Sequence, residues 1–168
     1  MATYTNKTYV AFDADNDIRY YRLMQAWKKN DNNSFNFYDA HDLNNLMSYS
    51  SEQTIKTKLA ERLSNTKVFV LLIGNSTKNL YKFVRWEIEQ AIKRDIPVIA
   101  VNLNGKRNMD ADLCPAILKE ELAIHVSFNQ KIIERAINNW ADSHAKYRSE
   151  DKTGPYYYKD SVYEELGL

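Results

Sequence analysis

Glycine is scarce in this chain: 4 in 168 residues, at Gly74, Gly105, Gly154 and Gly167. Walker loops and dinucleotide fingerprints need clustered glycines, so that backbone can approach phosphate. Neither pattern exists here, so a nucleotide would have to be held by other means. Cysteine is scarcer still. The lone Cys114 can form no internal disulfide and no Cys-rich metal site. That usage points to a reducing compartment, the cytoplasm. His41, His125 and His144 are scattered without ligand spacing, so no metal is expected, the Asp39-x-His41-Asp42 run notwithstanding. There is no Gly-x-Ser-x-Gly elbow to suggest a hydrolase triad. No charge of one sign dominates: 23 Lys and Arg face 22 Asp and Glu, a net charge of +1. That balance gives no strong bias toward nucleic acid or an anionic membrane, and neither is expected as partner. No apolar run is long enough to span a bilayer, and the N-terminus lacks the apolar core of a signal peptide.

What remains is an ordinary globular composition, 44% hydrophobic and 27% charged, in a chain long enough for one domain with a sizeable core. Strand and helix patterns alternate. Thr8 to Phe12 reads as a short buried strand, and Asp13 to Asp17 as a polar turn rich in N-cap residues. Ile18 to Lys29 is helical, Ser34 to Tyr38 a second strand, and Ser51 opens another helix. Val68 to Ile73, the most apolar segment, is the central strand. A helix over Phe83 to Arg94 follows, then strands over Ile96 to Val101 and Ala123 to Phe128, and a last amphipathic helix through Ile132 to Ala141. This pattern predicts an α/β fold: a single flavodoxin-like domain, its five-stranded parallel sheet in the order 2-1-3-4-5, with helices on both faces. Residues 1–147 form the domain, and 148–168 a polar, tyrosine-rich tail, packed or mobile.

In such a sheet, ligands bind outside the carboxyl ends of the strands where the strand order reverses, between the first and third strands. The loops meeting there are Asp13–Asp17 and Gly74–Thr77. On a wheel of roughly 100° per residue, Leu80, Val84, Ile88 and Ala91 form the core stripe, Glu87 falls roughly 60° to one side with Phe83, and Glu89 faces solvent. Trp86 points away from the stripe. Glu87 therefore reads either as a cleft-facing carboxylate or as a partly exposed helix-boundary acid. Asp13, Asp15 and Asp17 read as turn residues or as the border of a ligand. Phe12 belongs to the core or stacks on a ligand ring. Asn75 and Ser76 serve plain turn chemistry or donate to phosphate oxygens.

Three features together resemble the TIR-like domain of the Thoeris antiphage defence proteins, the ThsB type. They are the polar loop Phe12-Asp13-Ala14-Asp15-Asn16-Asp17, the strand end Leu72-Ile73-Gly74, and the helix start Phe83-Val84-Arg85-Trp86-Glu87. The family's first aromatic is often Trp, and here it is Phe83. The resemblance covers residues 8–102. It is weak through Asn104–Glu121 and absent from the tail.

The resemblance implies an enzyme that cleaves NAD, its substrate and not a bound cofactor, between nicotinamide and ribose. It implies an ADP-ribose-derived, cyclic signal that activates a downstream defence effector in response to a phage-derived trigger, and leaves self-association open. Glu87 would be the catalytic carboxylate. Phe12, Asp13, Asp15, Asn75, Ser76 and Phe83 would contact substrate. Asp39 would do so too, in the loop after the second strand where TIR-like domains place a mobile segment touching substrate or a neighbouring subunit. Two other functions share this architecture: a non-catalytic interaction module, and a nucleoside N-glycosidase or deoxyribosyltransferase.

Overall fold

The computed structural model describes residues 8–29, 37–38 and 51–168. The strands are β1 (Thr8–Ala11), β2 (Phe37–Tyr38), β3 (Val68–Ile73), β4 (Val98–Asn102), β5 (Ala123–Ser127) and β6 (Pro155–Tyr157). The helices are α1 (Ile18–Lys28), α2 (Glu52–Ser64), α3 (Val84–Lys93), α4 (Gln130–Ser149) and α5 (Asp160–Glu165). The sheet order is β2-β1-β3-β4-β5-β6, and every neighbouring pair is parallel.

All residues of β3, β4 and β5 are buried, because helices cover both faces of the sheet. Alternation along each strand divides the core in two. Val10, Val70, Leu72, Ile99 and Val126 face α1 and α4. Tyr9, Ala11, Phe69, Leu71 and Ile73 face α2 and α3. Tyr9 lies beside Phe69 in register, their rings stacked at 5.5 Å. The face carrying Tyr9 is the one that receives α3, and this brings α3 against the first strand.

The sheet has six strands where five were expected. The sixth comes from the tyrosine-rich tail and pairs with β5. It is a short edge strand that begins with proline and is largely exposed, so it carries no apolar run to read. The tail is packed. Tyr163 of α5 is buried, and its hydroxyl accepts from the Ser127 backbone N–H at 3.3 Å. Tyr156 stacks on Tyr147 at 4.5 Å. The last helix is therefore α5 and not α4. α4 itself runs beyond Ile132–Ala141 at both ends, and opens where Asn129 Oδ1 accepts from the Lys131 N–H at 2.9 Å.

α3 is shorter than its apolar stripe suggested. Leu80 lies before it, closing a 3₁₀ turn over Thr77–Asn79. At its other end Asp95 adopts a left-handed backbone, φ 53°. Its carboxylate is gripped by His144 Nε2 at 3.0 Å and Arg148 Nε at 2.8 Å, which ties this end of α3 to α4. Trp86 does not simply point away: it is half-buried against the α2–α3 core, with Lys56 Nζ 5.7 Å from its ring centre. Residues 34–36 and Asp39, His41 and Asp42 lie outside the described residues.

Candidate active site

Where β1 and β3 end, the chain opens a cleft of about 500 Å³. Phe12, Asp13 and Asp15 line one side, and Leu80, Phe83 and Glu87 the other. This is the carboxyl edge of the sheet, at the reversal of strand order. Four of the expected site residues besides Glu87 thus meet in one cavity: Phe12, Asp13, Asp15 and Phe83.

Glu87 is 8% exposed, so it is no boundary acid. Glu89, two residues on, is the solvent-facing one and pairs with Arg85 at 3.0 Å. The Glu87 carboxylate accepts a hydrogen bond from the hydroxyl of Tyr9, across the β1–α3 interface. Burial raises the Glu87 pKa, and the Tyr9 hydroxyl partly offsets it, leaving the group at about 7. The Tyr9 phenol is in turn pushed up, first by burial and then by the charge of Glu87. Glu87 lies in the first turn of α3, where the helix dipole also favours its anion. The site therefore holds a carboxyl group poised between its two protonation states near neutral pH.

Tyr9 is the partner of Glu87 that the sequence pattern missed. One signal for it existed. A tyrosine in a buried strand needs a partner for its hydroxyl, and Tyr9 lies on the face that carries Glu87.

Asp13 lines the cleft and is also a turn residue. Its Oδ1 accepts from the Asp15 N–H at 3.0 Å and the Asn16 N–H at 3.3 Å. Its Oδ2 accepts from Asn16 Nδ2 at 2.7 Å and Ser76 Oγ at 2.6 Å. Burial opposes its ionisation, but these donors outweigh it and hold the carboxyl below its usual range. Asp13 and Ser76 thus clasp the β1 and β3 loops together, and Asn16 Nδ2 reinforces the clasp on Ser76 at 3.1 Å. Phe12 is buried and stacks on Tyr21 at 4.5 Å, so it is both core and cleft wall. Asp15 is exposed at the rim, and Phe83 is partly buried with Lys82 Nζ 5.5 Å from its ring centre. Asn75 does not line this cleft; it borders a smaller one.

Nothing else in the described chain competes as a reactive centre. Burial pushes the Cys114 thiol up to about 11. His125, enclosed in β5, is pushed down to about 4 by burial. Among the described residues no His, Cys, Asp and Glu side chains gather as metal ligands, and no helix is long and apolar enough to cross a membrane.

A parallel sheet in this order, with a carboxylate-bearing cleft between its first and third strands, fits a TIR-like domain. The family described as Thoeris protein ThsB, TIR-like domain, matches residues 9–108, more than half of the chain, and the chain belongs to that family. The match runs from β1 past β4, and so takes in every residue that lines the cleft.

Proposed function

We propose that this chain is an NAD-cleaving enzyme of Thoeris defence, acting in the cytoplasm, and that Glu87 is its catalytic carboxylate. The carrying observation is the buried Glu87, held by Tyr9 in a cleft whose walls include Phe12, Asp15, Leu80 and Phe83. Family membership supports the defence role.

Nicotinamide leaves as a neutral molecule when the C1′–N bond breaks, because the bonding pair neutralises the pyridinium. No general acid is needed. The positive charge that develops on the ribose is what must be stabilised, and one carboxylate in a low-dielectric cleft does this. Bound NAD brings its own cation to Glu87, which favours the ionised form of a group otherwise near its midpoint. Phe12 and Phe83 offer ring faces to the nicotinamide, and Asp15 an acceptor for a ribose hydroxyl. Addition of water at C1′ releases a proton and gives ADP-ribose. Addition of a nucleophile from the same ADP-ribose gives a cyclic product, which serves as the signal to a defence effector.

The test pairs wild type with Glu87→Gln in cells with and without phage challenge, following NAD and ADP-ribose products by mass spectrometry. The expected result is a new ADP-ribose-type product, on challenge, with wild type alone. Unchanged NAD and no new nucleotide under a challenge that triggers defence would favour a non-catalytic interaction module instead. Full turnover by folded Glu87→Gln would remove Glu87 from its role.

A further inference from the structure

The walls of the Glu87 cleft carry charge of both signs, placed apart. Asp13 and Asp15 stand on the β1 loop, and Glu87 in the first turn of α3. Lys82, just ahead of α3, is the one cation among the described residues that line the cleft. An anion that entered would be repelled by the carboxylates and attracted only at Lys82. The cleft, at about 500 Å³, is of the size that takes a whole small molecule and not a ring alone.

The cations around it are committed to close partners. Lys78 Nζ donates to the Asp112 carbonyl at 2.6 Å. Arg85 Nε pairs with Glu89 at 3.0 Å, and Lys56 Nζ with Glu52 Oε1 at 2.9 Å. Lys82 differs. Among the described residues its one ion pair is with Glu52 Oε2 at 3.8 Å. That is too long for a hydrogen bond, and Lys56 already neutralises the same carboxylate. The Lys82 ammonium instead lies 5.5 Å from the ring centre of Phe83, itself a wall of the cleft. This contact keeps the charge at the cleft without using up its donors. An exposed cation–π contact is weak, and the flexible lysine stem lets the ammonium leave the ring for an anion.

We propose that Lys82 is the phosphate anchor of this cleft, which therefore takes a ribonucleotide in preference to the nucleoside that lacks the phosphate. The ligand class is a 5′-phosphorylated riboside with a cationic base: its positive end faces Glu87 and its phosphate faces Lys82, which meets it as a point charge. The cationic base rests on the reading of Glu87 as the catalytic carboxylate; the preference for a phosphate rests on Lys82. The same preference separates this cleft from that of a nucleoside N-glycosidase, whose substrate has no phosphate to anchor.

The test measures binding of nicotinamide mononucleotide and of nicotinamide riboside, which lacks only the phosphate. The protein is the full chain carrying Glu87→Gln, so that neither ligand is cleaved during calorimetric titration. At low ionic strength the mononucleotide is expected to bind about fivefold tighter, the scale of one exposed ion pair, and the margin should shrink as salt is added. Adding Lys82→Gln should bring the mononucleotide down to the affinity of the riboside, whereas Lys82→Arg should keep the margin. Lys93→Gln, which removes one charge at the far end of α3, should keep it as well. Equal affinities with Lys82 intact overturn the proposal. So does a margin that survives Lys82→Gln or falls equally with Lys93→Gln, and so does absence of binding by both ligands. NAD cleavage by wild type with equal affinities leaves the enzyme reading standing and removes the anchor. A Lys82-dependent margin in a chain that never cleaves NAD does the reverse.

Discussion

The hydroxyl of Tyr9 donates to the carboxylate of Glu87 across 78 positions of sequence, joining the first strand to the helix that follows the third. Both side chains are buried, and burial first, then this hydrogen bond, set the proton affinity of the acid that faces the cleft. It works against burial: without it Glu87 would hold its proton more tightly still.

Tyr9→Phe keeps the ring on Phe69 and deletes only the donor. The Glu87 pKa should rise from about 7 by on the order of one unit, the worth of a hydrogen bond to a charged group. The alkaline-going limb of the pH–rate profile for NAD cleavage should move up by the same amount. Turnover at neutral pH should fall several-fold and recover at higher pH. A profile that overlays wild type would show that the bond does not tune the reacting acid.

Glu87 also couples stability to pH. Its folded pKa of about 7 lies above the ordinary value of 4.5, so the folded state binds this proton more tightly than the unfolded one. The resulting stability is fully present below the unfolded pKa and is lost as pH rises through the folded one. The window runs from about pH 4.5 to about pH 7. Glu87→Gln, which can still accept from Tyr9, should remove this dependence. It should exceed wild type by on the order of 3 kcal/mol at pH 8 and match it near pH 4. Urea unfolding of both proteins across this range measures it. A constant difference at every pH would mean that Glu87 is not buried as an acid.

Gly74 is held small by Asp17. A Cβ on Gly74 would lie 2.3 Å from Asp17 Oδ2 and 2.7 Å from Oδ1, closer than atoms can pack. Gly74→Ala should cost about 1–3 kcal/mol of stability, the usual penalty of overpacking. In an Asp17→Ala background the carboxylate is gone, and most of that penalty should go with it. A double-mutant cycle by thermal unfolding reads the coupling. Additive costs would place the strain elsewhere.

Much of this was legible in the sequence, for physical reasons particular to each element. β3 is buried on both faces, so Val68–Ile73 reads as one unbroken apolar run. The wheel for α3 separated Glu87 from Glu89, because helical geometry alone decides which acid turns to the core. What escaped depends on contacts distant in the chain. Asp13 reads locally as a turn residue, but nothing local tells that its Oδ2 also accepts from Ser76 of the β3 loop. Asp17 looks like an N-cap, and only its neighbour Gly74 explains why it folds inward instead. β6 escaped because three edge residues led by proline carry no periodic signal.

That missed tail makes the last prediction. Tyr163 is 1% exposed, lies under the Arg107 guanidinium at 4.1 Å, and supplies the acceptor for the Ser127 N–H at the end of β5. Tyr163→Ala removes a buried ring from the core that also holds Trp140, and should cost about 3–5 kcal/mol. Tyr163→Phe keeps the ring and leaves one backbone donor unsatisfied, so it should cost about 1–2 kcal/mol. Both are read by urea unfolding. β5 and β6 lie away from the cleft, so folded Tyr163→Phe should keep wild-type turnover of NAD while losing stability. If Tyr163→Ala unfolded at the same urea concentration as wild type, the tail would be an appendage, and the sheet would be complete without it.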